Sequence, residues 1–300
     1  MQIPKFLHSG STILILAPAK AIDINAVSFS KDFLESQGFK VVISEHCLGK
    51  NNYFSGSIEE RKSDFQKAIN NPNIDAVLCA RGGYGCVHFI DDLDWASFLQ
   101  EPKWIVGFSD ITVIHQKLQT LGVASLHATM PLNFESNTKE ALASLVNALL
   151  GEKIEYEYKT TTDQIVGEAT GRIIGGNLSI LYSTIGTNDF PNFSGAILYF
   201  EDLGEHIYQL DRMFFALKKS GVFDVIKGVI VGSLTNIKDT EDPFGLSVND
   251  IIRNHFKSFN IPVCFDFPAG HINDNRALML GTNIKLSVSK SSTHLCFTMI

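Results

Sequence analysis

Through the first half of the chain, short unbroken apolar runs alternate with longer stretches whose apolar residues recur every three or four positions. Residues 12–17, 41–44, 74–80, 104–108 and 123–126 have strand length and read as strands buried on both faces. Segments near 23–38, 58–70, 85–100 and 110–120 carry helical spacing between them. The second opens on Ser57-Ile58-Glu59-Glu60, where Ser57 and Glu60 can satisfy free N–H groups reciprocally, and lines up Ile58, Phe65, Ala68 and Ile69 on one face. Alternation of this kind predicts an α/β domain on a doubly wound parallel sheet, with its ligand crevice beyond the carboxyl ends of the strands. The turns after Ala80 and Phe108 lie at such ends.

The pattern then changes. Residues 151–165 alternate charge with bulky groups and end in Thr160-Thr161-Thr162-Asp163, which reads as an exposed edge strand or a linker. A boundary placed there gives an N-terminal domain over 1–150, a linker over 151–165 and a C-terminal domain over 166–300. In the last of these, strands are expected over 167–174, 196–200, 228–231, 263–265, 284–288 and 294–299, with helices near 177–186, 205–220 and 247–258. The helix at 205–220 aligns Ile207, Leu210, Phe214 and Leu217 and stops at Gly221, a residue suited to a left-handed cap. A smaller mixed β/α domain follows from this spacing. There is no internal repeat and no low-complexity segment.

Composition narrows the class. Of 300 residues 45% are hydrophobic and 19% charged, as in an ordinary globular chain, and the net charge of −7 comes without a basic block. That argues against nucleic acid and anionic membrane surfaces as partners. With 22 Phe against 7 Tyr and 2 Trp, the aromatics are core filler rather than base-stacking platforms. The 5 cysteines are scattered and odd in number, which fits a reducing, cytoplasmic location better than a disulfide framework. No apolar run approaches the about 20 residues of a membrane helix. Lys5, Ile13-Leu14-Ile15-Leu16 and Ala17-Pro18-Ala19 imitate a signal peptide. Yet the run is short and His8-Ser9-Gly10 interrupts its approach, so it reads as the first strand. No H-E-x-x-H or other close His/Cys/Asp/Glu cluster occurs in the sequence, so a metal site is not expected.

Several motifs sit where chemistry would be. Arg81-Gly82-Gly83-Tyr84-Gly85 follows a buried strand and lets backbone N–H groups approach a ligand. Its spacing matches neither the dinucleotide nor the P-loop fingerprint. An oxyanion hole, an anion cradle and a plain tight turn all fit. Gly107-Phe108-Ser109-Asp110 joins a strand to a helix in the manner of a nucleophile elbow, although Ile111 stands where the second glycine of G-x-S-x-G would be. Ser109 serves equally well there as a simple helix cap. Among 9 histidines, His271 alone lies in a Pro/Gly-bounded loop, Phe267-Pro268-Ala269-Gly270-His271. Glu201 ends the apolar run of residues 197–200, either as a catalytic acid or as a carboxylate solvated or paired with Arg212.

In combined order these residues resemble the LD-carboxypeptidase family, which includes muramoyl-tetrapeptide carboxypeptidases and microcin-immunity peptidases. The resemblance runs through Ala17-Pro18-Ala19, Phe54-Ser55-Gly56-Ser57 with Glu60-Arg61, and Cys79-Ala80-Arg81-Gly82-Gly83-Tyr84-Gly85. It continues through Val106-Gly107-Phe108-Ser109-Asp110-Ile111-Thr112, Gly175-Gly176-Asn177-Leu178, Phe200-Glu201-Asp202 with Tyr208 and Asp211-Arg212, and Pro268-Ala269-Gly270-His271. It implies a class I amidotransferase-like N-terminal sheet domain, a swivelling-type C-terminal domain, a homodimer and no cofactor. It further implies a Ser–Glu–His hydrolase assembled from both domains, with Ser109 as nucleophile, Glu201 as acid and His271 as general base. The implied reaction, part of cell-wall recycling, releases the terminal D-Ala from peptidoglycan-derived tetrapeptides. The N–H groups of Gly83 and Asp110 would then receive the oxyanion, and Arg81, Gly82 and Tyr84 would contact substrate. Arg81 is the candidate for the free carboxylate, or a brace for its loop. The immunity branch implies the same chemistry on a peptidyl-nucleotide antibiotic and an aromatic platform, often Trp, from the C-terminal half. Trp95 and Trp104 both lie in the N-terminal half. Two other readings remain: Cys79 or Cys86 as nucleophile, and a catalytically silent α/β protein that binds an anionic ligand.

Overall fold

The structure, a computed structural model, describes residues 1–298; Met299, the end of the strand expected over 294–299, lies outside the described residues. Its strands are β1 (Thr12–Leu16), β2 (Lys40–Ile43), β3 (Ala76–Cys79), β4 (Trp104–Gly107), β5 (Ser125–His127), β6 (Glu155–Lys159) and β7 (Gly167–Asn177). They continue with β8 (Ile197–Leu203), β9 (Gly228–Thr235), β10 (Val263–Cys264), β11 (Leu278–Leu280), β12 (Asn283–Val288) and β13 (Ser292–Phe297). The chain forms two compact units. One holds Met1–Lys153 with Asn273–Met279, and the other holds Ile154–Ile272 with the chain from Leu280 onward.

In the first unit six strands lie in the order β11-β5-β4-β3-β1-β2, and β1 to β5 pair in parallel, as the strand–helix alternation predicts. β3, β4 and β5 are buried throughout. β2 departs from expectation: as the edge strand it is covered on fewer sides, and Val42 and Ile43 are exposed. The helix Ile58–Asn70 begins with the expected reciprocal cap, since Ser57 Oγ accepts the Glu60 N–H at 3.2 Å and Glu60 Oε2 accepts the Ser57 N–H at 2.7 Å. The helix expected near 85–100 breaks into two 3-10 turns, Cys86–His88 and Ile90–Asp92, and the short helix Ala96–Gln100. Phe89, Ile90, Leu93, Trp95 and Phe98 are buried, while Val87 is exposed. However, Gly85 has φ +141°, and the Asp94 N–H and carboxylate bond to Gln66 and the Ala96 N–H, which interrupts the helical ladder. A helix over Lys139–Leu150, capped by Thr138 and stopped by left-handed Gly151, adds to the expected elements.

The second unit is a mixed seven-stranded sheet in the order β10-β9-β8-β7-β12-β13-β6. The half from β10 to β7 is parallel and the half from β7 to β6 antiparallel. β6 forms its edge, so the charge alternation at residues 155–159 belongs to an edge strand. Helix Ile207–Lys219 buries Leu210, Phe214 and Leu217 completely against the core and gives way to Gly221 at φ +84°. No helix among the described residues is long and apolar enough to cross a membrane.

Candidate active site

Ser109 stands at the carboxyl end of β4 with φ +63°, a left-handed conformation that a β-carbon disfavours. It opens a 3-10 turn, Ser109–Ile111, that runs into helix Thr112–Thr120. Its hydroxyl caps neither the turn nor the helix, so the capping alternative falls away. Two local features hold the bend. A β-carbon on Gly107 would lie 2.8 Å from Ile111 Cγ1, so Ile111, fully buried, fills the space a second glycine would leave open. His115, also fully buried, donates from Nε2 to the Gly107 carbonyl at 2.8 Å and accepts the Ser125 hydroxyl on Nδ1 at 2.8 Å. Burial lowers the pKa of this imidazole to about 4, which keeps it in the neutral form those two bonds require.

The glycine loop folds against the elbow. A β-carbon on Gly82 would sit 3.0 Å from Ser109 Cβ and 3.2 Å from both Ser109 Oγ and Asp110 N, so the bare face of Gly82 opens onto the Ser109 side chain and the Asp110 N–H. Gly83 has φ +113° and faces Lys20 and Tyr53. Asp110, 2% exposed, ties loop to elbow by accepting the Cys86 N–H at 2.9 Å; burial raises its pKa, offset in part by Cys86 and the nearby His88 and Arg61. Arg61, also buried, donates to the carbonyls of Gly85 at 2.8 Å, Pro18 at 2.9 Å and Gly56 at 3.3 Å. Arg81 donates from Nη1 to the Ala21 carbonyl at 3.0 Å. Tyr84 is exposed and meets His88 edge to face. Cys79 and Cys86 are wholly buried and burial pushes both thiols up, so neither offers a thiolate nucleophile.

In the second unit the structure brings Glu201 and His271 together. Glu201 sits at an irregularity of β8 between Phe200 and Asp202, 0% exposed, and its Oε2 accepts the His271 Nδ1–H at 2.7 Å. Two glycines permit that approach. A β-carbon on Gly270, at φ +113°, would lie 2.7 Å from Glu201 Oε2, and one on Gly232 would lie 3.1 Å from Glu201 Cβ and 2.8 Å from the Ala269 carbonyl. Burial alone would lower the His271 pKa, but the hydrogen bond and charge of Glu201, with Asp202 behind it, leave it raised. Because Nδ1 donates, Nε2 is the basic nitrogen of the neutral ring. Arg212 lies over the Tyr208 ring, 5.3 Å from its centroid, so the expected alternative of an Arg212 pair for Glu201 falls away.

Asn177, which carried no role in the sequence reading, ends β7 and donates to Asp202 Oδ1 at 2.9 Å and Glu201 Oε1 at 3.4 Å. Gly175 and Gly176 are its only local signal: a side chain at Gly175 would collide with the Tyr199 carbonyl of β8. Asp202 has its pKa raised to about 6 by burial and by Glu201, although the N–H groups of Leu203 and Ser179 and the Asn177 amide pull it back. Among the described residues, Glu45, His46 and Asp64 bring ligand atoms within 4.8 Å of one another. Asp64 is taken up by His46 and Ser44, and Glu45 by Lys67.

The family model for the LD-carboxypeptidase N-terminal domain matches residues 13–128, and that for the C-terminal domain matches residues 170–286. The murein tetrapeptide carboxypeptidase of Pseudomonas aeruginosa is 30% identical over 90% of this chain and 91% of its own. The microcin C7 self-immunity protein of Escherichia coli is 26% identical over 94% of this chain and 90% of its own. The crystal structure of muramoyltetrapeptide carboxypeptidase from Oxalobacter formigenes superposes with a TM-score of 0.89 at 26% identity, covering 96% of this chain and 99% of that one. Matched along most of its length in both halves, the chain belongs to the LD-carboxypeptidase family of serine-type peptidase hydrolases.

Proposed function

We propose that this peptidase releases the terminal D-Ala from peptidoglycan-derived tetrapeptides in cell-wall recycling, with Ser109 as nucleophile, His271 as general base and Glu201 as the acid that orients it. The observation that carries the assignment is the strained φ of Ser109, because a serine held at +63° on a strand-to-helix corner serves reactivity and not stability. His271 takes the Ser109 hydroxyl proton on Nε2 as Oγ attacks the scissile carbonyl. Glu201 holds the Nδ1–H tautomer and offsets the imidazolium charge. The N–H groups of Gly83 and Asp110 receive the oxyanion; Gly82 and Tyr84 border the substrate, and Arg81 braces the loop through Ala21. The amine then departs with the proton from His271, and water hydrolyses the acyl-enzyme by the same route.

The muropeptide reading is favoured over a peptidyl-nucleotide one because both tryptophans, at 7% and 0% exposure, are packed in the first unit and offer no platform. A homodimer working in the cytoplasm completes the proposal, supported by family resemblance and by free cysteines. Incubating a tetrapeptide with wild type and Ser109→Ala tests it: wild type should release D-Ala and the variant none, with an unchanged fold. Turnover by the variant would overturn the assignment.

A further inference from the structure

We propose that Lys20, helped by the Tyr53 hydroxyl, binds the free carboxylate of the substrate's terminal residue; the inference rests on the carboxypeptidase reading and names the subsite that makes it an exopeptidase. Such an enzyme must hold a carboxylate whose carbon lies only roughly 4 Å beyond the scissile carbonyl. The cation therefore has to stand beside the nucleophile loop. Gly82 turns its bare face to Ser109, and Gly83, one Cα–Cα step of about 3.8 Å further, turns its own to Lys20 and Tyr53. A β-carbon on Gly83 would lie 2.9 Å from Lys20 Cβ and 2.9 Å from the Tyr53 hydroxyl.

Three cations surround this loop, and they differ in what they already hold. Arg61 is 2% exposed and spends its guanidinium on backbone carbonyls. Arg81 is tied to the Ala21 carbonyl. The Lys20 ammonium has no carboxylate or carbonyl partner among the described residues and lies 4.7 Å from the centroid of the Tyr53 ring. The Tyr53 hydroxyl has no hydrogen-bond partner among them either, and Tyr53 is 41% exposed. A carboxylate placed there takes one N–H and one O–H, a donor for each oxygen. The Lys20 N–H donates to the Gly82 carbonyl at 3.3 Å, which couples this subsite to the part of the loop that faces Ser109.

The test uses Ser109→Ala protein, titrated with a tetrapeptide ending in D-Ala and with the same peptide ending in D-alaninamide. The acid should bind about 10–100-fold more tightly than the amide, the strength of a charge-assisted hydrogen bond. Adding Lys20→Gln should erase that preference by weakening the acid alone, Lys20→Arg should keep most of it, and Tyr53→Phe should lose a smaller part. Equal binding of acid and amide before Lys20 is changed overturns the proposal, as does a preference that survives Lys20→Gln. A peptide bound with acid preference but not cleaved by wild type would refute the hydrolase reading and leave the carboxylate subsite standing.

Discussion

Gly82→Ala separates catalysis from folding at this site. The added β-carbon would stand 3.0 Å from Ser109 Cβ and 3.2 Å from Ser109 Oγ and Asp110 N, closer than packed carbons settle, so one of them must give by a few tenths of an ångström. Gly82 is not among the glycines with positive φ, so alanine brings no left-handed strain, and its smaller unfolded-state entropy offsets part of the crowding. The net stability change should stay within about 1 kcal/mol, a melting shift of roughly 2–4 °C for a unit of this size. Catalysis is far less tolerant. The methyl group occupies the space before the Asp110 N–H, and losing one oxyanion donor costs about 10²–10³-fold in kcat. Release of D-Ala from a tetrapeptide, measured beside a thermal melt, gives both quantities. Gly122→Ala is the matched control: nothing lies within 4 Å of its β-carbon but its φ is +78°, so it should cost about 1 kcal/mol and leave kcat alone. A Gly82→Ala enzyme that keeps more than a tenth of wild-type kcat, with an unmoved melt, would refute the placement of the oxyanion before Gly82.

The strain at Ser109 predicts that Ser109→Gly, though inactive, melts higher than Ser109→Ala by the equivalent of about 1 kcal/mol, because only glycine accepts φ +63° without cost; equal melting temperatures would disprove stored strain. The raised pKa of His271 means that its Glu201 contact stabilises the fold below the ordinary histidine range and that this contribution fades as pH climbs through the folded value. The general base works in the neutral form, so kcat/KM should rise with pH across that same value. Glu201→Gln leaves burial as the main influence on His271. It should move the rising limb to more acidic pH while kcat falls by about 10⁴-fold, and a limb that stays in place would exclude Glu201 as the partner that tunes the base.

Much of the fold was readable because burial and backbone direction leave local traces. The apolar runs of β1, β3 and β4 marked central strands, and Ser57 and Gly221 marked the ends of helices through capping chemistry. β2 misled because an apolar run says how a segment prefers to be covered and nothing about whether a neighbour is there to cover it; Val42 and Ile43 sit exposed on a sheet edge. The 85–100 segment misled in the opposite way. Its apolar spacing is real and Phe89, Ile90, Leu93, Trp95 and Phe98 are buried, but Gly85 and Asp94 offered the backbone better partners than a helix would.

Within the site, legibility followed chain distance. The elbow is built from residues within a few positions of one another, Gly107, Ser109, Ile111 and His115, so its form was visible even though the second glycine is absent. The pairing of Glu201 with His271 spans seventy residues and rests on contacts no window of sequence contains: the β8 irregularity, and the missing side chains of Gly232 and Gly270 that admit the histidine loop. Family resemblance supplied both names without the reason. The reason is steric. A β-carbon at residue 270 would stand 2.7 Å from Glu201 Oε2, so a side chain there would push the His271 ring away and leave the buried carboxylate with the longer Asn177 contact in place of its short one. The glycines of this chain thus specify its chemistry as firmly as the groups that react. Gly82 keeps open the space before Ser109 and the Asp110 N–H, and Gly270 keeps open the path between His271 and Glu201.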